Sequence, residues 1–241
     1  MNNFGSNLKL KKICNNISLF FPAYNEESNI KKAVEQAENA LKQIAIEFEI
    51  IIVNDGSEDN TRQVSEGICK NNKHVHLINH EHNKGYGSAL RSGFKACKYD
   101  LIFFTDADNQ FDIKEIVKLI ELSHEVDIVA GFRKKRNDPF YRSVNAFGFN
   151  MLVRLLFGVK IKDIDCAFKL FKRDVIAAIE IESVGALINT EIIIKAAKKG
   201  FKIKQVGITH YPRFFGAQTG ANPLVVIRAF KEIIKLWKKL R

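Results

Sequence analysis

Apolar positions along the chain follow two alternating rhythms: short β-branched and aromatic runs, and longer stretches with helical spacing. Residues 17–21 have the first rhythm and predict a strand ended by Pro22. Helical spacing follows at Ile30, Ala33, Val34, Ala37, Leu41 and Ile44, with Ser28 placed to cap the helix. The same reading gives strands over 49–53, 75–79 and 101–105, helices over 60–69, 87–96 and 113–123, and a strand over 127–131. Such alternation through short connections predicts an α/β fold, a Rossmann-like, mostly parallel sheet flanked by helices on both faces. After Gly131 the rhythm loosens. Residues 132–142 are basic and turn-rich, 144–157 form an apolar helix, and 163–171 pass from loop into strand. A helix over 189–199, a strand over 202–209 and a loop over 214–222 come next. Pro223 suits the first turn of a final helix. That helix carries Val226, Ile227, Phe230, Ile233, Ile234, Trp237 and Leu240 on one stripe, with Arg228, Lys231, Lys235, Lys238 and Lys239 around it. The stripe either docks on the protein core, the ordinary outcome, or lies in a membrane interface. No repeat or linker interrupts the chain, so one domain is expected over 1–241, with halves 1–131 and 132–222 and the helix 223–241.

Composition adds bounds. The chain has 241 residues, 46% hydrophobic and 27% charged, which is globular. No apolar run reaches the roughly 18 residues of a membrane span, and the first residues lack an apolar secretion core, so a cytoplasmic protein is expected. Cys14, Cys69, Cys97 and Cys166 form no C-x-x-C pair and read as reduced structural thiols. His74, His76, His80 and His82 read as a surface cluster rather than a metal site. Residues 192–241 hold twelve basic residues against Glu232 alone, which accounts for the whole net charge of +11. A basic tail on a neutral body points to anionic lipid, nucleic acid or a merely soluble surface.

Chemistry concentrates at predicted strand ends. Residues 101–105 run into Asp106-Ala107-Asp108-Asn109-Gln110, two carboxylates spaced i, i+2. Carboxylates that close repel each other, and a hard divalent cation, with Gln110 as a further oxygen donor, resolves the conflict. The alternative is an Asp-rich turn capping the helix near Ile113. The first strand leads into Pro22-Ala23-Tyr24-Asn25-Glu26 and the second into Asp55-Gly56-Ser57. In a parallel sheet these ends share one edge, where open α/β sheets bind ligands. Three coincident polar ends favour a nucleotide: Tyr24 to stack, Asp55 to accept from base or ribose, a metal to bridge the diphosphate. Helix capping remains the ordinary role for Ser57 or Asp59. Asn83-Lys84-Gly85-Tyr86-Gly87 precedes a helix and offers backbone N–H groups to an anion. It is not the dinucleotide fingerprint, because Leu90 stands where the third glycine belongs.

Together these segments resemble glycosyltransferase family 2 over roughly residues 17–213. The resemblance implies a GT-A fold and an inverting transfer of a hexose from a nucleoside diphosphate. Pro22, Tyr24, Glu26, Asp55, Ser57, Lys84, Gly85 and Asp106 would then line the UDP- or GDP-hexose, with Mg²⁺ or Mn²⁺ on Asp106, Asp108 and Gln110. Gly131-Phe132-Arg133 and Asp163-Ile164-Asp165-Cys166-Ala167-Phe168-Lys169 look like the branch that includes dolichol-phosphate mannosyltransferases and bacterial polyprenyl-phosphate hexosyltransferases. The processive branch is not matched, since Trp237 follows Leu236 rather than completing Q-x-x-R-W. Arg133, Arg142 and Arg213 suit a lipid-phosphate acceptor, which is already ionised and needs no base. A hydroxyl acceptor on a growing glycan would need one; besides the catalytic Asp108, Asp163, Asp165 and Glu191 are the candidates. Capping explains Asp163 and Asp165 equally well, and surface exposure Glu191. The basic tail would supply peripheral attachment to an anionic membrane at its inner, cytoplasmic face. A non-catalytic nucleotide-sugar binder is a further alternative, and nucleic acid explains the tail but not the acidic crevice.

Overall fold

The computed structural model describes residues 12–134, 140–213, 215 and 223–240, with the side chains of 140–146 and 223–228 outside the description. Seven strands form one sheet in the order β3-β2-β1-β4-β6-β5-β7. They are β1 (Cys14–Ala23), β2 (Ala45–Asn54), β3 (Val75–Asn79), β4 (Leu101–Thr105), β5 (Ile128–Arg133), β6 (Phe168–Lys172) and β7 (Ile203–Ile208). All pairings are parallel except those of β6, which runs antiparallel to both β4 and β5. The antiparallel strand, though late in the chain, is inserted between β4 and β5.

Both faces of the sheet are apolar because successive side chains point opposite ways. Leu19, Phe21, Ile50, Ile52 and Phe103 face one core, with helices α1 (Ile30–Ile44) and α4 (Ile116–Ser123). Phe20, Ile51, Val53, Ile102 and Phe104 face the other. That second core also takes residues of α3 (Tyr86–Ala96), α5 (Phe140–Phe157), α6 (Arg173–Ala178), α7 (Ile188–Lys198) and α8 (Pro223–Leu240). The remaining helix, α2 (Thr61–Asn71), lies beside β3. A Cβ on Gly93 would stand 2.3 Å from the Phe20 ring, so glycine is what lets α3 sit on β1.

Several expectations need correction. The residue before α1 is Asn29, not Ser28, and the Asn29 amide turns to the Glu26 carboxylate at 2.7 Å instead of capping. Pro22 does not end β1. The pairing with β4 stops at Phe20, so the missing N–H of Pro22 interrupts no ladder on that side, while pairing with β2 continues to Ala23. Residues 140–142 belong to α5 rather than to a turn-rich segment. The short α6 was not expected. The expected loop over 214–222 falls outside the described residues apart from Phe215. Of the stripe of α8, Ile233 docks on the core with Leu236 beside it, Phe230, Trp237 and Leu240 are half-buried, Ile234 faces outward, and the side chains of Val226 and Ile227 lie outside the described residues. No helix among the described residues is long and apolar enough to cross a membrane.

Candidate active site

Because β2, β1 and β4 are neighbours, their C-terminal ends bring 22–26, 54–57 and 105–110 to one edge. Asp55 is buried there. Its Oδ1 accepts from the Lys84 N–H at 3.0 Å and lies 2.6 Å from His80 Nδ1, while Oδ2 accepts from the Gly85 N–H at 2.9 Å. The carboxylate therefore shapes the 83–87 turn and keeps about one of its roughly four acceptor sites for a ligand. Gly85 holds φ +93°, and a Cβ there would lie 2.7 Å from the Val184 carbonyl. Lys84 is exposed and Tyr24 half-buried, both at the rim. Ser57 ties loops together, donating to Asn54 Oδ1 at 2.5 Å and accepting from the Asn25 N–H at 3.0 Å. Asp59 takes the ordinary role, accepting from the Thr61 N–H at the start of α2 at 2.9 Å.

The carboxylates after β4 are in electrostatic conflict. Asp106 is pushed up to about 7, first by burial and then by the Asp108 charge. Asp108 is also raised, chiefly by burial, although the Gln110 N–H and Arg213 oppose the shift. Glu26 is raised for the same first reason. Arg213 is paired with two of the carboxylates, its Nη2 donating to Glu26 at 2.6 Å and its Nη1 lying 3.5 Å from Asp108. Arg213 thus faces the carboxylates. Asn109 adopts φ +58°, the left-handed conformation Asn tolerates, which reverses the chain after Asp108. Gln110 donates to the Tyr211 carbonyl at 3.1 Å, which orients its amide. The helix-cap alternative fails here, since Asp112, not Asp106 or Asp108, caps the turn at Ile113. No group of three or more His, Cys, Asp or Glu among the described residues is arranged to hold a metal alone.

On the other side of the sheet edge, Arg133 at the end of β5 meets Asp163 in a two-pronged pair, Nε–Oδ2 2.6 Å and Nη2–Oδ1 2.7 Å. Two candidates for different roles are thus one unit, in which Asp163 orients the guanidinium. Asp165 is exposed. The side chain of Arg142 lies outside the described residues. Glu191 is buried, which removes the surface alternative, and accepts from the Glu182 and Ser183 N–H groups at 3.0 and 2.7 Å while pairing with Lys195 at 2.6 Å. Those contacts hold it below the usual carboxylate range despite burial. It braces the 182–184 segment, which packs against Gly85 and Gly87.

Some participants escaped the sequence reading. His80 is buried between Asp55 and Ser92 Oγ (2.9 Å), not part of a surface cluster. Tyr86 donates its hydroxyl to Asp106 at 3.0 Å. Lys169 is fully buried, donating to the Ile164 carbonyl at 3.0 Å, the Cys166 carbonyl and Asn189 Oδ1, and burial lowers its pKa. A lone lysine inside the apolar run 166–171 was the available signal. Behind Asp106, a small cavity bordered by Phe21, Gln36, Thr105 and Asn109 suits an internal water. Thr105 Oγ1 and Asn109 Oδ1 are buried nearby without a protein partner among the described residues. All four cysteines are free, and burial pushes Cys97 and Cys166 up to about 12.

The sequence model described as Glycosyl transferase family 2 matches residues 18–179. An undecaprenyl-phosphate 4-deoxy-4-formamido-L-arabinose transferase of Pseudomonas fluorescens is 32% identical over 164 residues, 67% of this chain and 48% of that protein. Glycosyltransferase AglD of Haloferax volcanii is 28% identical over 209 residues, 82% of this chain and 33% of that protein. The chain spans about half the length of the transferases of the first kind, and a third of AglD. Among solved structures, glucosyl-3-phosphoglycerate synthase from Mycobacterium tuberculosis bound to UDP superposes with a TM-score of 0.73 at 16% identity. That match covers 93% of this chain and 80% of that one. A second complex of that enzyme, containing Mn²⁺, UDP and phosphoglyceric acid, gives a TM-score of 0.72. At this identity the likeness shows the fold, the GT-A arrangement, and nothing finer. With the matched family spanning most of the sheet and every strand end described above, the chain belongs to glycosyltransferase family 2.

Proposed function

We propose that the protein transfers a hexose from a UDP- or GDP-sugar, with inversion, to a polyprenyl phosphate at the cytoplasmic face of a membrane. A divalent cation fits the donor side. Asp106, Asp108 and Gln110 are an all-oxygen set, and Mg²⁺ bound with a nucleotide needs only one or two carboxylates, the phosphates and water completing its shell. Mg²⁺ or Mn²⁺ held there would offset the charge that develops on the departing diphosphate. The chain's own residues do the rest of the positioning. Asp55 and Glu191 fix the Lys84-Gly85 turn from two sides, leaving Lys84 free to reach a phosphate. Tyr24, Pro22, Glu26 and Ser57 border the space for the nucleoside.

The observation that carries the acceptor reading is the Arg133–Asp163 pair. Asp163 holds the guanidinium rigidly at the end of β5, and a fixed guanidinium is what a phosphate monoester needs. The same pair occupies the first candidate base, and Glu191 is occupied by N–H groups and Lys195. The exposed Asp165 keeps the hydroxyl-acceptor alternative open. The relatives named for undecaprenyl phosphate support the lipid reading. The test is a panel of labelled UDP- and GDP-hexoses with Mn²⁺, offered polyprenyl phosphate or the matching polyprenol. Label on the phosphate alone is the expected result, and equal or preferential transfer to the alcohol overturns it.

A further inference from the structure

The docking of α8 leaves a question that the neighbouring helix answers. Since α8 buries Ile233 and Leu236 in the core and turns Ile234 outward, most of the apolar part of any membrane contact must come from elsewhere. Helix α5 buries Phe149 and Val153 but turns Phe147, Met151 and Leu155 outward, 69%, 40% and 75% exposed. Their i, i+4, i+8 spacing places them on one stripe, opposite the buried face. Solvent-facing stripes of this size on a globular surface mark interaction sites. Both helices feed the same core, and Phe149 meets the Phe230 ring edge-on at 5.6 Å. They are therefore neighbours in one layer, each with its outer face directed away from the sheet. The outer face of α8 presents Lys231, Lys235 and Lys238 around a 46%-exposed Ile234. None of these lysines has an ion-pair partner among the described residues, whereas Lys239 pairs with Glu182. Arg154 adds a further exposed cation within the α5 stripe.

We infer that the outer faces of α5 and α8 together form a docking surface for an anionic lipid bilayer, with Phe147, Met151 and Leu155 entering the interface and Lys231, Lys235 and Lys238 meeting the headgroups. The combination decides the occupant. A protein partner or a second copy covering this face would have to desolvate uncompensated lysines, while headgroup phosphates neutralise them and the acyl boundary accepts the apolar stripe. The placement also connects the surface to the site. Asn150 of α5 donates to the Lys162 carbonyl at 3.0 Å and accepts from the Ile164 N–H at 3.3 Å, gripping the chain on both sides of Asp163. Asp163 in turn holds Arg133. The segment bearing the apolar stripe is therefore fastened to the guanidinium assigned to the lipid phosphate. This inference names the membrane partner of the function proposed above and rests on that reading for its purpose, not for its measurement.

The full chain would be sedimented with vesicles of phosphatidylglycerol and phosphatidylcholine, with neither sugar donor nor polyprenyl phosphate present. Binding is expected to weaken at least tenfold when phosphatidylglycerol is omitted or salt is raised to about 0.5 M, since exposed charge pairs are screened there. The variant F147S/M151S/L155S should bind at least tenfold more weakly, and K231Q/K235Q/K238Q roughly a hundredfold, about fivefold per lysine. Near-ultraviolet circular dichroism should stay unchanged in both, and L155S alone gives the same direction if the triple variant fails to fold. Absence of wild-type binding, unchanged binding by the serine variant, or a wild-type dimer that this variant dissolves would each overturn the inference. Vesicle binding without any sugar transfer would refute the proposed function and leave the docking surface standing.

Discussion

Asp106→Asn tests the charge conflict at the centre of the site in the metal-free protein. The Asp106 carboxyl sits at about 7 in the folded chain instead of the ordinary 3.8. The gap corresponds to about 4 kcal/mol at about 1.4 kcal/mol per pH unit. Asp106 is half-buried and part of its shift comes from the Asp108 charge, so a net effect of roughly 2 kcal/mol is expected. The sign follows from proton linkage. A carboxyl raised in the folded state contributes stability fully below its unfolded value and loses it as pH climbs through the folded one. Wild type should therefore lose stability between about pH 4 and pH 7–8, and the asparagine variant, which cannot ionise and still accepts from Tyr86, should not. At pH 8 without metal the variant should melt above wild type by roughly 4–8 °C, and the difference should shrink at pH 5. Mn²⁺ with UDP or GDP should raise the wild-type melting temperature and leave the variant unmoved. Thermal unfolding across pH, with and without metal and nucleotide, measures all of this. A variant that melts below wild type at pH 8, or a pH-independent difference, would refute the reasoning.

Two further substitutions separate roles that the sequence left open. Arg133→Lys keeps the charge but loses the planar fork that meets Asp163; with a charge-assisted bond worth about 1.5–3 kcal/mol, transfer to polyprenyl phosphate should fall roughly tenfold to a hundredfold while hydrolysis of the nucleotide sugar persists. Equal loss of both in a folded variant would place Arg133 on the donor side. Glu191→Gln should cost about 1–3 kcal/mol in urea denaturation, because a buried acceptor of two N–H groups and a lysine loses its charge, yet transfer should survive at conditions where the variant is folded. Since Glu191 is lowered, its stabilising share is present above about 4.5 and is lost as pH falls below that, so wild type and variant should converge in acid. Abolished turnover in well-folded E191Q would restore it as the base.

The gathering of polar strand ends at one edge was readable from the chain because it is local. An apolar strand that breaks into Asp106 and Asp108, or into Asp55, carries its meaning in consecutive residues, and parallel strands place such ends on one edge. The Arg133–Asp163 cluster depends on pairing at a distance. Nothing near Arg133 or Asp163 announces that residues thirty positions apart form one unit. Period-two patterning does not encode strand direction, so the antiparallel β6 was invisible as such. Buried polar groups were the hardest to read: His80 looked like surface, Glu191 stood between a base and a surface residue, and Lys169 in an apolar run was passed over. Each is buried because its partners satisfy it, and those partners lie elsewhere in the sequence.

The account stands or falls on the strand-end carboxylates serving a metal-bound diphosphate. The most direct measurement is incorporation of labelled hexose into polyprenyl phosphate with Mn²⁺, with excess EDTA, and with Mn²⁺ restored. Label in the lipid fraction should fall to background in EDTA and return with the metal, and Asp108→Asn should stay at background throughout. Undiminished transfer in EDTA would contradict the account.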